Sequence, residues 1–210
     1  MKKLLTEADI NLLAKSGKTV FYVEKGIILT PLALDRAKRF NIRIEYGTAP
    51  LNPVVSAPSP VPMQFLKLAI GCDHTGFRMK QEIIPFLKEL GILLVDVGCD
   101  SEASCDYPDF AIAVAQKVAK KEVDGGIILD ATGIPSAITA NKKKGIRCAT
   151  CYNEFSALSA RSHNNSNVVA LGAMTLGVAT IKSILKVWLQ TPFEGGRHQK
   201  RLDKISVLEK

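Results

Sequence analysis

The chain is predicted to be an α/β protein. We expect a Rossmann-like parallel sheet of about five strands with helices on both faces, plus a small α/β appendage at the N-terminus. Three observations predict this. From Phe65 onward, short apolar runs alternate with helical patterns, the signature of a parallel sheet. Residues 47–64 hold five of the ten prolines, so they read as a stiff, semi-extended linker between residues 1–46 and 65–210. A hydrophobic fraction of 47% over 210 residues is ample for one core and an appendage.

In the appendage, Thr6-Glu7-Ala8-Asp9 reads as a helix start, with Thr6 as N-cap and Asp9 in the place of the usual capping-box Glu. Ile10, Leu12, Leu13 and Ala14 supply its apolar face, and Gly17 ends it. A strand follows over Val20 to Val23. Thr30-Pro31 opens a second helix, because proline fits the first helical turn, and Ile42 to Tyr46 form another short strand. So small a unit can hardly build an independent core, and it is expected to pack on a partner or a second copy.

In the larger unit we expect strands at 66–71, 92–97, 125–129, 146–151 and 167–171. Helices are expected at 76–90, 108–120, 134–142, 153–162 and 175–190, with a last one near 197–209. No internal repeat is evident.

Composition narrows the function. No apolar run reaches the roughly 18 residues of a membrane span. The N-terminus, Met1-Lys2-Lys3-Leu4-Leu5-Thr6-Glu7, is charged again too soon for a signal peptide, so a soluble cytoplasmic protein is expected. Cys72, Cys99, Cys105, Cys148 and Cys151 are an odd set, and Cys148-x-x-Cys151 has no second pair for a zinc ribbon; free, buried or half-buried thiols and no metal are expected. The net charge of +8 is scattered over helices and aromatics are only 6%, which argues against nucleic acid and suits a small anionic ligand.

The most informative stretch is Gly125-Gly126-Ile127-Ile128-Leu129-Asp130-Ala131-Thr132-Gly133-Ile134-Pro135-Ser136. It reads as a buried strand ending in a carboxylate, followed by small residues and a helix. In open α/β sheets, ligands bind at the carboxyl ends of strands. Asp130 there suits proton transfer beside an anion, or serves as a plain helix N-cap. Asp73-His74 ends the first strand of this unit, with His74 able to move a proton near neutral pH. Asp106-Tyr107-Pro108 begins a helix at the same sheet edge, and helix-start chemistry explains all but Tyr107. Arg197 and Arg201 are four apart on one helix face, a fork suited to phosphate or a solvated basic tail.

Together these pieces resemble the ribose-5-phosphate isomerase B family, which includes galactose-6-phosphate isomerase subunits. The likeness runs over residues 66–208. It is carried by Gly-Cys-Asp-His-Thr-Gly-Phe (71–77), Asp-Tyr-Pro-Asp-Phe-Ala (106–111), Thr-Gly-Ile (132–134), Ala-Asn-Lys (140–142), Gly-Ile-Arg (145–147), Ser-His-Asn-Asn-Ser-Asn-Val (162–168) and Trp-Leu-Gln-Thr-Pro-Phe-Glu-Gly-Gly-Arg-His (188–198). The resemblance implies aldose–ketose isomerisation of a sugar phosphate through an enediolate, without metal or cofactor. It implies a homodimer or tetramer whose sites are shared between subunits. By it, Asp130, Thr132 and His74 are catalytic. Asp73, His74, Tyr107, Gly133, Ser136, Asn141, Tyr152 and Asn153 meet the sugar or the enediolate. Arg161, Arg197 and Arg201 hold the phosphate, partly across subunits.

Two departures stand out. Asp130 takes the place of the family's usual thiol base, and Ser136 the place where some members carry a Glu base. Tyr152 replaces a ring-opening histidine. Residues 1–46 resemble, through Leu-Thr-Glu-Ala-Asp-Ile (5–10) and Gly-Ile-Ile-Leu-Thr-Pro (26–31), a segment of ethanolamine-utilisation proteins of bacterial microcompartments. That implies targeting to, or assembly with, a shell or cargo protein.

Overall fold

A computed structural model describes residues 4–15, 19–24, 26–47 and 63–209. Residues 48–62 of the expected linker, and the expected helix stop Gly17, lie outside the described residues. Backbone contacts divide the chain into two units, within residues 1–59 and 60–210.

The smaller unit runs β1 (Leu4–Leu5), α1 (Glu7–Lys15), β2 (Val20–Val23), β3 (Ile28–Leu29), α2 (Pro31–Arg39), β4 (Arg43–Tyr46). Strand β1 pairs with β3 and β2 with β4, both parallel. The unit is therefore two β–α–β halves, each strand lying beside its counterpart. The sequence trace of this repeat is Leu-Thr at 5–6 and again at 29–30, opening each helix. Thr30 Oγ1 accepts the Ala33 N–H at 3.2 Å. Thr6 instead donates its N–H and its hydroxyl to Asp9 Oδ2, both at 2.8 Å, so Asp9 performs the Glu half of a capping box. Ile10, Val23, Leu29, Ala33, Ala37 and Ile42 form the core. Leu12, expected on the buried face, is 73% exposed, because Ile10, Leu13 and Ala14 already fill that stripe.

The larger unit runs β5 (Lys67–Cys72), α3 (Phe77–Glu89), β6 (Leu93–Asp96), α4 (Tyr107–Ala119), β7 (Gly125–Asp130), α5 (Ile134–Ala140), β8 (Cys148–Thr150), α6 (Glu154–Ser162), β9 (Val168–Gly172), α7 (Val178–Gln190), α8 (Arg197–Ser206). Its five strands form one parallel sheet in the order β6-β5-β7-β9-β8. Helices α3, α6 and α7 cover one face over Leu68, Ile70, Ile127 and Leu129. Helices α4 and α5 cover the other over Ala69, Ile128 and Ala170. All six residues of β7 are buried, as a central strand of a two-sided sheet requires.

Helix α7 begins at Val178 rather than near 175, because Thr175 and Leu176 close a turn by donating their N–H groups to Gly172 O. Trp188 of α7 stacks on Phe65 at 4.4 Å and donates Nε1–H to Ser166 Oγ at 2.8 Å. This pins the helix to the amino-terminal edge of the sheet.

Candidate active site

The sheet sets the site by its register. Cys72 lies opposite Leu129, so Asp73 and Asp130 leave neighbouring strands side by side, about 5 Å apart in backbone. The helix after β5 packs on one face and the helix after β7 on the other. That divergence between adjacent strands is the switch point where α/β sheets bind ligands.

Both aspartates are buried, Asp73 at 6% and Asp130 at 1% exposure. Asp73 Oδ1 accepts from Thr75 N–H at 2.9 Å, the Thr75 hydroxyl at 2.6 Å and Gly76 N–H at 3.1 Å. Gly76 is obligatory, since a Cβ there would meet Leu129 O at 2.6 Å. His74 Nδ1 lies 3.1 Å from Cys105 O and 3.3 Å from Cys105 N, so the loop after β6 holds the imidazole in either neutral tautomer. Tyr107, half-buried, opens α4 two residues beyond.

Asp130 uses both oxygens. Oδ1 accepts from Thr132 N–H at 2.8 Å and from Gly133 N–H; Oδ2 accepts from Ser136 N–H at 3.1 Å. Gly133, not Asp130, is the N-cap of α5, but Asp130 still serves the helix start by accepting the N–H of its third residue, Ser136. Gly133 has φ of +77°, and a Cβ on it would crowd Leu171 N and Thr150 Cγ2 at 3.0 Å. The Thr150 hydroxyl donates to Gly133 O at 3.1 Å, and Ala173 N–H donates to Asp130 O at 2.7 Å. The loops after β7, β8 and β9 are thereby packed together. Ser136 is fully buried and its hydroxyl has no hydrogen-bond partner among the described residues.

The remaining sequence-predicted residues divide. Tyr152 is 46% exposed just past β8. Asn153 is the N-cap of α6, its Oδ1 accepting Ser156 N–H at 2.8 Å. Asn141 is not brought to the Asp130 loop. It follows the last residue of α5, a helix about 10 Å long that runs back toward the amino-terminal edge. Its amide is engaged there as a strand mimic, donating to Cys148 O and accepting from Cys148 N, both at 2.8 Å.

Arg161 also lies at the opposite edge. Its guanidinium stands 4.6 Å over the Phe65 ring and donates to Ser166 O and to Asn165 Oδ1 at 3.1 Å. Burial and the neighbouring Arg147 hold its pKa down to about 10, and it remains charged. Arg197 and Arg201 are exposed on the first turns of α8, whose His198 stacks on His163 just past the end of α6. Strand β7 spans six residues, about 20 Å, between these two edges. One chain therefore carries the paired aspartates at one edge of the sheet and the arginines at the other.

Sequence reasoning missed Lys80. It is 1% exposed and donates to both Asp96 oxygens, at 2.7 and 2.9 Å, and to Cys99 O at 2.6 Å. It braces the start of the loop that reaches His74. Its spacing with Ile83 and Leu87 on one helical face was the available signal. The five cysteines are free. Burial pushes the Cys148 thiol well up and Cys151 up to about 11, so both stay protonated at neutral pH.

Comparison with known proteins agrees with this frame. A family model described as Ribose/Galactose Isomerase matches residues 68–205. Ribose-5-phosphate isomerase B of Escherichia coli is 45% identical over 143 residues, covering 68% of this chain and 96% of that protein. D-erythrulose-4-phosphate isomerase of Pectobacterium atrosepticum is 37% identical, covering 69% of this chain and 95% of its own. The structure of Clostridium thermocellum ribose-5-phosphate isomerase B superposes with a TM-score of 0.67 at 43% identity, covering 68% and 97%.

Proposed function

The chain belongs to the ribose/galactose isomerase family, and we propose that it interconverts aldose and ketose phosphates, ribose 5-phosphate and ribulose 5-phosphate first among them. The observation that carries this is the pairing of Asp73–His74 and Asp130 at the switch point, in a family whose named relatives are sugar-phosphate isomerases. Asp130 takes the proton from C2 and returns it to C1, while the O2 hydroxyl proton passes to O1, so that Asp130 acts as the base that a thiol supplies elsewhere in the family. His74 and Asp73 hold the sugar hydroxyls, and His74 assists ring opening. As the proton arrives, negative charge passes from the carboxylate to the substrate oxygen. The N–H groups of Thr132, Gly133 and Ser136, bonded to Asp130 at rest, then turn to the enediolate. No cofactor is required. Arg197 and Arg201 of a second copy bind the phosphate, in a homodimer or tetramer.

The test is turnover by the purified full chain of four-, five- and six-carbon aldose phosphates. Ribose 5-phosphate is expected to give the highest kcat/KM; the four-carbon substrate winning would reassign the specificity.

A second reading is favoured by one observation: the loop donors already have an anion, Asp130 itself. A chain so built would bind sugar phosphate and turn it over weakly, and Asp130→Cys together with Tyr152→His would raise its rate. We also infer that residues 1–46 target the enzyme to a microcompartment or assemble it there. Deleting residues 1–64 should then leave turnover intact and abolish co-localisation with a shell.

A further inference from the structure

The geometry points to a divalent transition-metal site formed by His163, Glu194 and His198, apart from the Asp130 loop. The three side chains come from separate elements: His163 from the C-terminus of α6, Glu194 from the segment between α7 and α8, and His198 from the first turn of α8. Their ligand atoms all lie within 4.8 Å of one another. Glu194 Oε2 is 3.9 Å from His163 Nε2 and 3.6 Å from His198 Nε2. The Glu194 N–H donates to Ser162 O at 3.0 Å, holding that segment against α6.

The electronic arrangement suits a cation. His163 Nδ1 lies 3.3 Å from Ser159 Oγ; with the proton on Nδ1, the Nε2 lone pair faces Glu194. His198 Nε2 accepts from Arg197 Nε at 3.4 Å, which marks this nitrogen as the one carrying the lone pair. Two imidazole nitrogens and a carboxylate oxygen are thus gathered in one place. Two histidines and a glutamate are an established ligand set for Zn2+.

The imidazoles are stacked nearly parallel, 4° apart at 4.3 Å. Tetrahedral ligation needs neighbouring donor atoms about 3.3 Å apart, so His163, the more exposed ring, must turn inward. Ser159 supplies its outer-shell partner. An ion bound here takes over the His198 lone pair to which Arg197 donates, and releases that guanidinium beside Arg201. On the phosphate role proposed for these arginines, occupancy would set the affinity for the phosphate group.

The experiment uses the chelator-treated full chain without sugar phosphate, titrated calorimetrically with Zn2+ and spectroscopically with Co2+. One ion per chain is expected, with the visible absorption of tetrahedral Co2+. His163→Ala and Glu194→Gln should each weaken Zn2+ binding by about 100-fold or more, and Ser159→Ala by about tenfold. Absence of saturable binding, undiminished binding in both ligand variants, or a thiolate-to-cobalt charge-transfer band, which would put the ion on cysteine, overturns the site. A chain that binds the ion through these residues but isomerises nothing keeps the site and overturns only the isomerase reading.

Discussion

Asp73 and Asp130 end adjacent strands of one sheet, are almost equally buried, and each folds the following loop around itself. They differ in how the carboxylate is engaged. Asp73 makes its three hydrogen bonds through Oδ1 alone among the described residues, whereas Asp130 divides three N–H donors between both oxygens. The first is an ordinary turn aspartate with one oxygen to offer a ligand. The second sits in a nest of donors of the kind that binds anions. On the proposed mechanism, one residue at the end of β7, carboxylate for thiol, changes both the base and the groups that would stabilise the developing oxyanion.

The largest expected effect comes from Asp130→Asn, which should lower kcat by about 10²–10⁴-fold as a general base is lost. Unchanged turnover would remove Asp130 from the chemistry and leave the two aspartates alike. Arg161→Ala should cost about 2–3 kcal/mol in urea unfolding, because Ser166 O and Asn165 Oδ1 lose their donor and Phe65 loses the guanidinium packed on it. The exposed Arg197→Ala should cost less than about 0.5 kcal/mol. Equal losses would contradict the division between a packed arginine and an exposed one.

The same unfolding measurement tests the aspartates directly. Asp130→Asn turns an NH2 group against a backbone N–H whichever way the amide faces, at about 1–3 kcal/mol. Asp73→Asn can keep every bond through its remaining oxygen and should stay within about 0.5 kcal/mol. Arg197→Ala with Arg201→Ala should raise KM roughly tenfold with little change in kcat. Mixing that double variant with Asp130→Asn should recover activity if the two sheet edges meet across subunits. The smallest effect is one of pH. His198 has a lowered pKa when folded, so below about pH 6.5 the unfolded chain binds more protons and stability falls on acidification. The Tm should drop between pH 7.5 and 5.5 in the wild type, and less in His198→Asn; no difference between the two would clear His198.

The alternation of apolar runs and helical patterns located every strand of the larger sheet within two residues at either end, and all six of its helices within three. These elements answer to local rules: burial on two faces for β7, proline in the first turn for α4, a capping asparagine for α6. Strands β1 and β3 escaped notice because two residues carry no periodicity. The repeat they belong to left only a pair of Leu-Thr steps.

Which candidate residues share an edge was legible where chain order and space agree. Asp73, His74, Tyr107 and the Asp130–Ser136 loop all follow strand ends, and a parallel sheet brings all its strand ends to one edge. Asn141 and Arg161 sat in motifs as distinctive, yet each lies at the far end of a helix, and a helix in a parallel sheet returns its C-terminus to the other edge. The residue types that make proton transfer feasible, and the carboxylate where a thiol is usual, were determined by the amino-acid sequence. Which donors that carboxylate engages, and that the arginines face away from it across the length of a strand, were decided by tertiary structure. Both depend on strand order and helix return, which arise from packing two faces of one sheet.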